Sequence, residues 1–194
     1  MPSFVSRAGL KLEHALATFA MDVAGLTCAD LGCNAGGFTD CLLQRGAAKV
    51  YAVDTGYGVL DWKLRKDPRV VVMERTNAMH VHLPEPVGFL CIDVAWTRQR
   101  NILPAAHRLL VPAGEVVTLL KPHYESPAAN LRNGILPEEK LDEVLASVYP
   151  DMEAAGFAVI ETVKSPIKGA KGNTEVLCRL RLRPLNAADR SAEG

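Results

Sequence analysis

A glycine-rich loop between a short strand and a helix constrains the fold of this chain more than any other feature. The loop covers residues 32–37, after the apolar and partly β-branched run 27–31 and before the helical pattern 38–45. A second strand, 51–53, ends at Asp54. A strand, a glycine turn, a helix and a second strand ending in a carboxylate are together typical of a nucleotide-binding α/β sheet.

The spacing of the loop indicates which nucleotide it binds. It reads D-x-G-x-x-x-G-G, with Asp30 two residues before the first glycine, and not the G-x-G-x-x-G of dinucleotide sites. An acid at that place would repel a pyrophosphate but suits a cation. S-adenosylmethionine carries a ribose, an adenine, a sulfonium charge and an amino-acid tail, so the loop predicts this cofactor. The alternative is an ordinary turn between a strand and a helix, in which Asp30 is a helix cap or a solvated residue.

Contacts for the cofactor follow from this motif. Asp54 would accept both ribose hydroxyls, Asn77 would lie near the adenine, and Asp93 would lie near the methyl group. Glycines let the backbone approach a ligand without a Cβ in the way. The residues predicted to line the methionine and ribose side are Asp30, Gly32, Asn34, Gly36, Gly37 and Phe38.

Apolar strands alternate with helical patterns along the rest of the chain, which predicts a doubly wound α/β fold with a mostly parallel, seven-stranded sheet. Strands are predicted at 28–31, 49–53, 70–73, 89–93, 116–121, 157–163 and 176–181, and helices at 7–20, 38–45, 60–66, 99–110 and 138–155. The last two strands fit an antiparallel hairpin at one edge. We expect residues 1–183 to form one domain and 184–194 to be a disordered tail.

Composition excludes several classes of protein. With 194 residues, 48% of them hydrophobic, the chain can bury a well-formed core. We expect a cytoplasmic protein without a membrane partner, because no stretch could span a bilayer and the N-terminus lacks the apolar core of a signal peptide. The five cysteines form no C-x-x-C pair, so we expect small hydrophobes and no metal site. A formal net charge of zero neither favours nor excludes a polyanionic partner.

Two charged residues end neighbouring apolar strands. Asp93 follows the run 90–92, and Lys121 follows the run 117–120. Both should face the crevice that holds the methyl group, because ligands bind beyond the carboxyl ends of such strands. A partly desolvated lysine beside a carboxylate is a candidate for acid–base chemistry. The alternative is an ion pair that only ties the sheet together.

Six blocks of sequence carry a family resemblance: residues 5–12, 36–47, 53–58, 74–77, 120–122 and 165–175. From about Val5 to Arg181 the chain resembles the TlyA (haemolysin A) branch of the FtsJ-like RNA methyltransferases. The resemblance implies a Rossmann-like class I enzyme that uses S-adenosylmethionine to methylate a ribose 2′-hydroxyl of ribosomal RNA. It also implies a catalytic tetrad, which motif-by-motif matching assigns to Lys11, Asp93, Lys121 and Glu175.

The sequence departs from that family pattern in two places. TlyA-type proteins usually begin with a small S4 RNA-binding domain, whereas this sequence begins at the methyltransferase core. Either that domain has been lost or it lies outside this sequence, and the sequence leaves open how the substrate is recruited. Such proteins usually continue after the catalytic aspartate with a serine and a phenylalanine. This chain reads Val94-Ala95-Trp96 instead, which alters the wall beside the acceptor.

The tetrad also makes chemical sense by itself. A ribose 2′-hydroxyl must be oriented and must lose its proton as the new C–O bond forms. Lys121 would act as a base if burial and Lys11 depress its pKa, or it would stay charged and stabilise the developing oxyanion. Asp93 would hold Lys121, and Glu175 would fix Lys11 or a ribose hydroxyl. The sequence leaves both roles of the lysine open.

RNA, as rRNA or a ribosomal subunit, is the expected partner. The candidate phosphate contacts are Arg7, Lys11, Lys63, Arg65, Lys66, Arg69, Arg98, Arg100, Lys164, Lys168 and Lys171. Trp96 and Tyr124 would either stack on an unpaired base or belong to the core. The alternatives are a non-catalytic protein that binds RNA and cofactor, and a small-molecule methyltransferase, which scattered basic residues would favour. A pore-forming haemolysin is a weaker alternative, since the chain lacks a membrane-spanning segment.

Overall fold

A seven-stranded sheet organises residues 3–183, the part of the chain that the computed structural model describes. The strands are β1 (Thr27–Leu31), β2 (Lys49–Val53), β3 (Val70–Met73), β4 (Val87–Ile92), β5 (Leu110–Leu120), β6 (Phe157–Lys164) and β7 (Val176–Leu182). Their order is β3-β2-β1-β4-β5-β7-β6. Strands β1 to β5 pair in parallel, and β7 runs antiparallel to both of its neighbours. The predicted doubly wound α/β fold with a C-terminal antiparallel hairpin is confirmed.

Six α-helices connect and cover these strands: α1 (Ala8–Thr18), α2 (Gly37–Gln44), α3 (Trp62–Arg65), α4 (Gln99–Leu109), α5 (Pro122–Glu125) and α6 (Leu141–Ala154). Short 3-10 turns lie at Ala128–Asn130, Glu138–Lys140 and Ala170–Gly172. The longer helices lie where the sequence predicts them. Helix α3 is shorter than its predicted range of 60–66, and β5 starts six residues earlier than predicted. The predicted tail, 184–194, lies outside the described residues, and the division at residue 183 stays a prediction.

The sheet separates two hydrophobic clusters. Alternate residues of β4 point to opposite faces, so that Ile92 packs into one cluster with α4 and α6, while Phe89 packs into the other with α1 and α2. Strands covered on both faces are apolar throughout, which explains their nearly continuous hydrophobic sequence. All five cysteines are buried and free, as small hydrophobes would be. No helix within residues 3–183 is long and apolar enough to cross a membrane.

Strand register brings the ends of four strands to one edge. Leu31 of β1 pairs with Val53 of β2 and Ile92 of β4, so the residues that follow these strands emerge side by side. Because β7 is antiparallel, its first residue, Val176, pairs with Leu120 at the end of β5. The segment before β7 therefore reaches the same edge as the segments after β1, β2, β4 and β5.

Candidate active site

All four residues of the predicted tetrad line one cavity of about 580 Å³. Asp93 Oδ1 lies 2.6 Å from Lys121 Nζ, and Glu175 Oε2 lies 2.5 Å from Lys11 Nζ. Lys11 is only 9% exposed and Glu175 only 4%. The structure therefore joins the tetrad as two ion pairs that border a single space.

The fold explains how residues far apart in sequence meet there. Asp93 and Lys121 directly follow the adjacent strands β4 and β5. Glu175 directly precedes β7 and so lies at the same edge. Lys11 lies on the buried face of α1 with Leu12 and Ala15, and its amine contacts Glu175 directly at the wall of the cavity. Lys121 Nζ also donates a hydrogen bond to the Val94 carbonyl at 3.0 Å.

A second cavity, of about 410 Å³, adjoins the first. It is lined by Asp54, the following Thr55 and Gly56, the segment 76–79, and residues after β4. The two cavities share four lining residues: Gly32, Asn34, Asp93 and Ala95. Asp93 thus lies where the spaces meet, which is the place expected for a group that passes from a cofactor to an acceptor.

The loop after β1 shapes the second cavity through its backbone. Gly32 has φ of +89°, and a Cβ there would lie 2.7 Å from the Asp93 carbonyl oxygen, so this turn requires glycine. The Asp54 carboxylate accepts hydrogen bonds from the N–H groups of Asn34 at 2.9 Å and Gly56 at 2.7 Å. Each carboxylate oxygen has a further lone pair for a ligand. The Asp54 carboxylate, the backbone of the turn at Gly32 and the volume of the second cavity thus fit an adenosyl group.

Three predicted cofactor contacts occupy other places in the structure. Asp30 is fully buried and lines neither cavity; its Oδ2 accepts hydrogen bonds from the Thr39 N–H at 2.9 Å and the Thr39 hydroxyl at 2.7 Å. Asp30, which lies in β1, therefore caps the N-terminal turn of α2. A capping role for Asp30 was one of the alternatives that the sequence left open. Gly36 and Gly37 also line neither cavity: a Cβ at Gly36 would collide with Leu64, and one at Gly37 with Ser6. These two glycines therefore make room for the side chains of Leu64 and Ser6. The predicted contact Phe38 lines the tetrad cavity.

Stability should depend on pH through Asp30, because burial raises the pKa of its carboxyl from 3.8 to about 7. The folded protein then holds this proton more tightly than the unfolded chain does, so the contribution is complete below about pH 4 and is lost as the pH rises through about 7. We expect the melting temperature of wild type, relative to Asp30→Asn, to fall by several degrees between pH 4.5 and 7.5. Thermal unfolding of both proteins across this range is the measurement, and a constant difference would contradict the assignment.

Some residues of the site were not predicted from sequence. Ser6, Cys33, Ala35 and His123 line the tetrad cavity, and Thr76 lines the second one. The sequence indicates Glu74 only as the first residue of the family block 74–77. Its carboxylate accepts the N–H groups of Gly58, Val59 and Leu60, which fixes the loop after Asp54 and lowers the Glu74 pKa. The only signal in the sequence for this loop-fixing role is that Glu74 directly follows β3.

The basic residues predicted to contact RNA divide into two groups. Arg7, Lys11, Lys168 and Lys171 line the tetrad cavity. The others line neither cavity, and four of them are already paired with acids: Lys63 with Asp40, Arg65 with Glu74, Arg69 with Asp67 and Lys164 with Glu138. Only the first group therefore surrounds the tetrad.

The two aromatic candidates are in contact with each other. The rings of Trp96 and Tyr124 stack with centroids 5.1 Å apart and an interplanar angle of 29°. Trp96 is 84% exposed and lines the second cavity, whereas Tyr124 is half-buried and lines the tetrad cavity. Trp96 is therefore not a core residue, and the pair forms an aromatic surface beside the point where the cavities meet.

The strand order, the glycine turn and the acid after β2 define a Rossmann-like methyltransferase that depends on S-adenosylmethionine. A solved S-adenosylmethionine-dependent methyltransferase from Mesorhizobium loti has the same fold, with a TM-score of 0.65, 18% identity and coverage of 87% of this chain and 96% of that one. The chain belongs to the FtsJ-like methyltransferase family, whose family model matches residues 4–182. The predicted family and cofactor are thereby confirmed. Within residues 3–183 no cluster of His, Cys, Asp and Glu is arranged to hold a metal ion.

Closer relatives share much more sequence. YqxC of Bacillus subtilis, a candidate rRNA methyltransferase, is 42% identical over 91% of this chain and 65% of its own length. The 16S/23S rRNA (cytidine-2′-O)-methyltransferase TlyA of Mycobacterium tuberculosis is 39% identical over 92% of this chain and 69% of its own length. A solved candidate hemolysin from Streptococcus thermophilus has a TM-score of 0.91 at 40% identity, covering 98% of this chain and 72% of that one. The chain thus spans about two thirds of the length of the curated relatives it matches.

Affinity for the cofactor should depend on Asp54. We expect Asp54→Ala to weaken S-adenosylmethionine binding about tenfold to a hundredfold, because charge-assisted hydrogen bonds to both ribose hydroxyls are lost. Calorimetric titration measures the change. The same carboxylate holds the backbone at Asn34 and Gly56, so a thermal melt must first show that the variant is folded. Unchanged affinity in a folded variant would place the ribose elsewhere.

Proposed function

We propose that this chain transfers a methyl group from S-adenosylmethionine to a ribose 2′-hydroxyl of ribosomal RNA. The observation that carries the proposal is the tetrad cavity, with two lysines and two carboxylates, directly beside a cavity fit for adenosine. The name of the TlyA relative, a 16S/23S rRNA (cytidine-2′-O)-methyltransferase, supports both the reaction and the acceptor. Such a substrate implies a cytoplasmic location.

The geometry favours one of the two roles left open for Lys121. Its amine lies 2.6 Å from the Asp93 carboxylate and donates to the Val94 carbonyl, as an ammonium would. A charged Lys121 orients the acceptor hydroxyl and stabilises the negative charge that develops on its oxygen. Bound S-adenosylmethionine supplies the electrophilic methyl group, while Asp54 and Asn77 would hold its ribose and adenine. Lys11, fixed by Glu175, would contact the acceptor nucleotide.

The charge of the tetrad cavity favours a polyanionic acceptor. Its lining includes five basic residues, Arg7, Lys11, Lys121, Lys168 and Lys171, and two carboxylates, Asp93 and Glu175. Three positive charges are therefore in excess here, although the whole chain has a formal net charge of zero. Arg7, Lys168 and Lys171 form no ion pair with any residue in the range 3–183. Concentrated and unpaired cations suit phosphates better than they suit a neutral small molecule.

The exposed pair Trp96–Tyr124 adds a second argument for RNA. Sequence-specific RNA recognition targets unpaired bases, which stack on aromatic side chains. The exposed ring of Trp96, backed by Tyr124 at the junction of the two cavities, would receive the base of the nucleotide whose ribose enters the tetrad cavity. A small-molecule acceptor would not require this exposed surface.

The direct test is methylation of ribosomal subunits and of naked rRNA with labelled S-adenosylmethionine. We expect label in RNA, at a nucleotide whose 2′-oxygen is methylated, as mapped by resistance of the following phosphodiester to alkali. Label in RNA on a base would reject ribose methylation. Cofactor binding without transfer to any RNA would favour a non-catalytic protein that binds RNA and cofactor. Transfer only to a small metabolite would favour a small-molecule methyltransferase.

The unpaired cations should govern RNA affinity. We expect the double variant Lys168→Ala/Lys171→Ala to weaken RNA binding and to reduce the slope of log K against log salt by about one for each lost phosphate contact. Filter binding at several salt concentrations measures this slope. The matched control is Lys63→Ala/Lys66→Ala, which removes two lysines that line neither cavity. Equal effects of the two variants would show that the cavity has no special part in RNA binding.

A further inference from the structure

Methyl transfer to a hydroxyl releases one proton, and the tetrad offers no free group to take it. The Asp93 carboxylate is bound by Lys121 and the Glu175 carboxylate by Lys11. Protonating either acid would leave a poorly exposed ammonium without its counter-charge, which is costly. An ammonium that already holds an ion pair has no lone pair with which to accept a proton.

His123 supplies such a group in the same cavity. It lies in α5, two residues after Lys121, and it lines the tetrad cavity while being only 8% exposed. Its Nδ1 is buried and has no hydrogen-bond partner among the described residues. The ring contacts Tyr124, with centroids 4.2 Å apart and an interplanar angle of 52°. Nδ1 is enclosed by protein and cannot take a proton from the cavity, so an acceptor role falls to Nε2, which is not among the enclosed unpaired atoms of the described residues. An enclosed ring nitrogen without a partner is unusual, because buried polar atoms are nearly always paired.

We propose that His123 accepts the proton of the acceptor hydroxyl, directly or through one water molecule. In this step the carbon–sulfur bond breaks and the sulfur keeps its electron pair, while the new carbon–oxygen bond forms. The oxygen–hydrogen bond breaks, and the proton moves to an imidazole nitrogen and later to solvent. The inference rests on the proposed function and assigns the two tasks of the site to two residues: Lys121 stabilises the oxygen, and His123 removes the proton.

The electrostatics of the cavity are consistent with this division. Burial, and then the charge of Lys121, lower the pKa of His123 below its usual value, so the imidazole is neutral and able to accept a proton at pH 7. A new imidazolium would be disfavoured beside so many cations. However, the sulfonium charge of the cofactor disappears in the same step, so the number of positive charges in the site does not increase.

Several charged groups face His123 and set the pH dependence of this step. Its own segment contributes Lys121, Tyr124 and Glu125. Helix α6 packs on that segment and brings Asp151 towards Glu125. Arg98 and Arg100 also lie near Glu125. Across the cavity lie Arg7, Lys11, Asp93, Lys168, Lys171 and Glu175. Lys121 is the charged group that lowers the His123 pKa. We therefore expect kcat to fall on the acid side with an apparent pKa below 6.5, as the imidazole becomes protonated.

The test compares the pH profile of kcat for wild type, His123→Gln and His123→Ala on the RNA that the wild type methylates. We expect both variants to lose about 10²–10⁴-fold in kcat at pH 7.5, with little change in KM, and to lose the acid limb of the profile. Added imidazole should restore part of the activity of His123→Ala. His82→Gln, at an exposed position that lines neither cavity, is the matched control and should behave as wild type.

Three outcomes would overturn the inference. They are an unchanged kcat in folded His123→Gln, an acid limb that persists in both variants, and a rise in KM alone, which would make His123 a residue that only contacts the acceptor. Thermal melts of both variants separate these outcomes from misfolding, and the imidazole experiment separates a lost proton acceptor from a lost packing contact. Failure of the wild type to methylate any ribose would instead reject the proposed function, so the two failures are distinguishable.

Discussion

Replacing Lys121 with methionine is expected to lower the rate of methyl transfer by about 10²–10⁴-fold, the usual contribution of a positioned acid–base or orienting group. Lys121 lines the tetrad cavity but not the cavity that fits adenosine. S-adenosylmethionine affinity should therefore change little, and the loss should appear in kcat. Single-turnover methylation of the mapped RNA, together with calorimetric titration of the cofactor, measures both quantities.

The controls for this prediction use the partner of Lys121 and a distant lysine. Asp93→Asn should also lower the rate, because Asp93 holds the ammonium at 2.6 Å, and it should weaken cofactor binding as well, since Asp93 lines both cavities. Lys49→Met changes a lysine at the start of β2, at the opposite edge of the sheet, and should leave the rate unchanged. A folded Lys121→Met protein that methylates at the wild-type rate would exclude a role for this lysine in the chemistry.

The number and direction of the strands could be predicted because each carries a direct signal. Apolar runs of four to six residues mark the parallel strands, and the loop with Pro166, Gly169 and Gly172 marks the hairpin. The start of β5 was missed because Pro112 and Gly114 indicate a turn, whereas the structure pairs Leu110 with Val87 through a shift in register. Helix α5 was missed because four residues are too few for a helical period to appear.

The site was predictable where a residue directly follows or precedes a strand. Asp54, Asp93 and Lys121 all have such positions, and strand register brings them to one edge. Glu175 lies at the same edge, but its assignment came from the family resemblance. Lys11 was different, since spacing within α1 does not distinguish a solvated lysine from a buried one. Its place came from the family resemblance, and the ion pair with Glu175 accounts for its burial physically.

The roles of the glycines could not be predicted from the loop sequence. Gly32 approaches the Asp93 carbonyl beside the cavities, while Gly36 and Gly37 make room for α3 and for the segment before α1. The distinction depends on which element packs against each Cα, and that is a tertiary property. The position of Asp30 could not be predicted for a similar reason, because an acid near a glycine loop can serve a ligand or the N–H groups of the next helix equally well.

Breaking the buried ion pair is expected to be the largest effect on stability. The Lys11 and Glu175 side chains are 11% and 4% exposed and lie 2.5 Å apart. Removing one member of a buried pair typically costs about 3–5 kcal/mol, because the other charge stays without compensation. We expect Glu175→Leu to cost about 3 kcal/mol, the lower end, since the pair borders a cavity that water can enter. For a chain of this size that is a fall in melting temperature of roughly 6–12 °C.

The double variant Lys11→Met/Glu175→Leu separates the electrostatic cost from the loss of packing. It removes both charges, so its free energy of unfolding should lie closer to wild type than that of Glu175→Leu, while methyl transfer stays impaired because Lys11 is gone. Glu143→Ala breaks the exposed pair with Lys140 and should change stability by at most about 0.5 kcal/mol. Urea unfolding of the four proteins measures each value. If Glu175→Leu cost no more than Glu143→Ala, the Lys11 ammonium would have to be solvated in the cavity, and Glu175 would then serve the acceptor and not the fold.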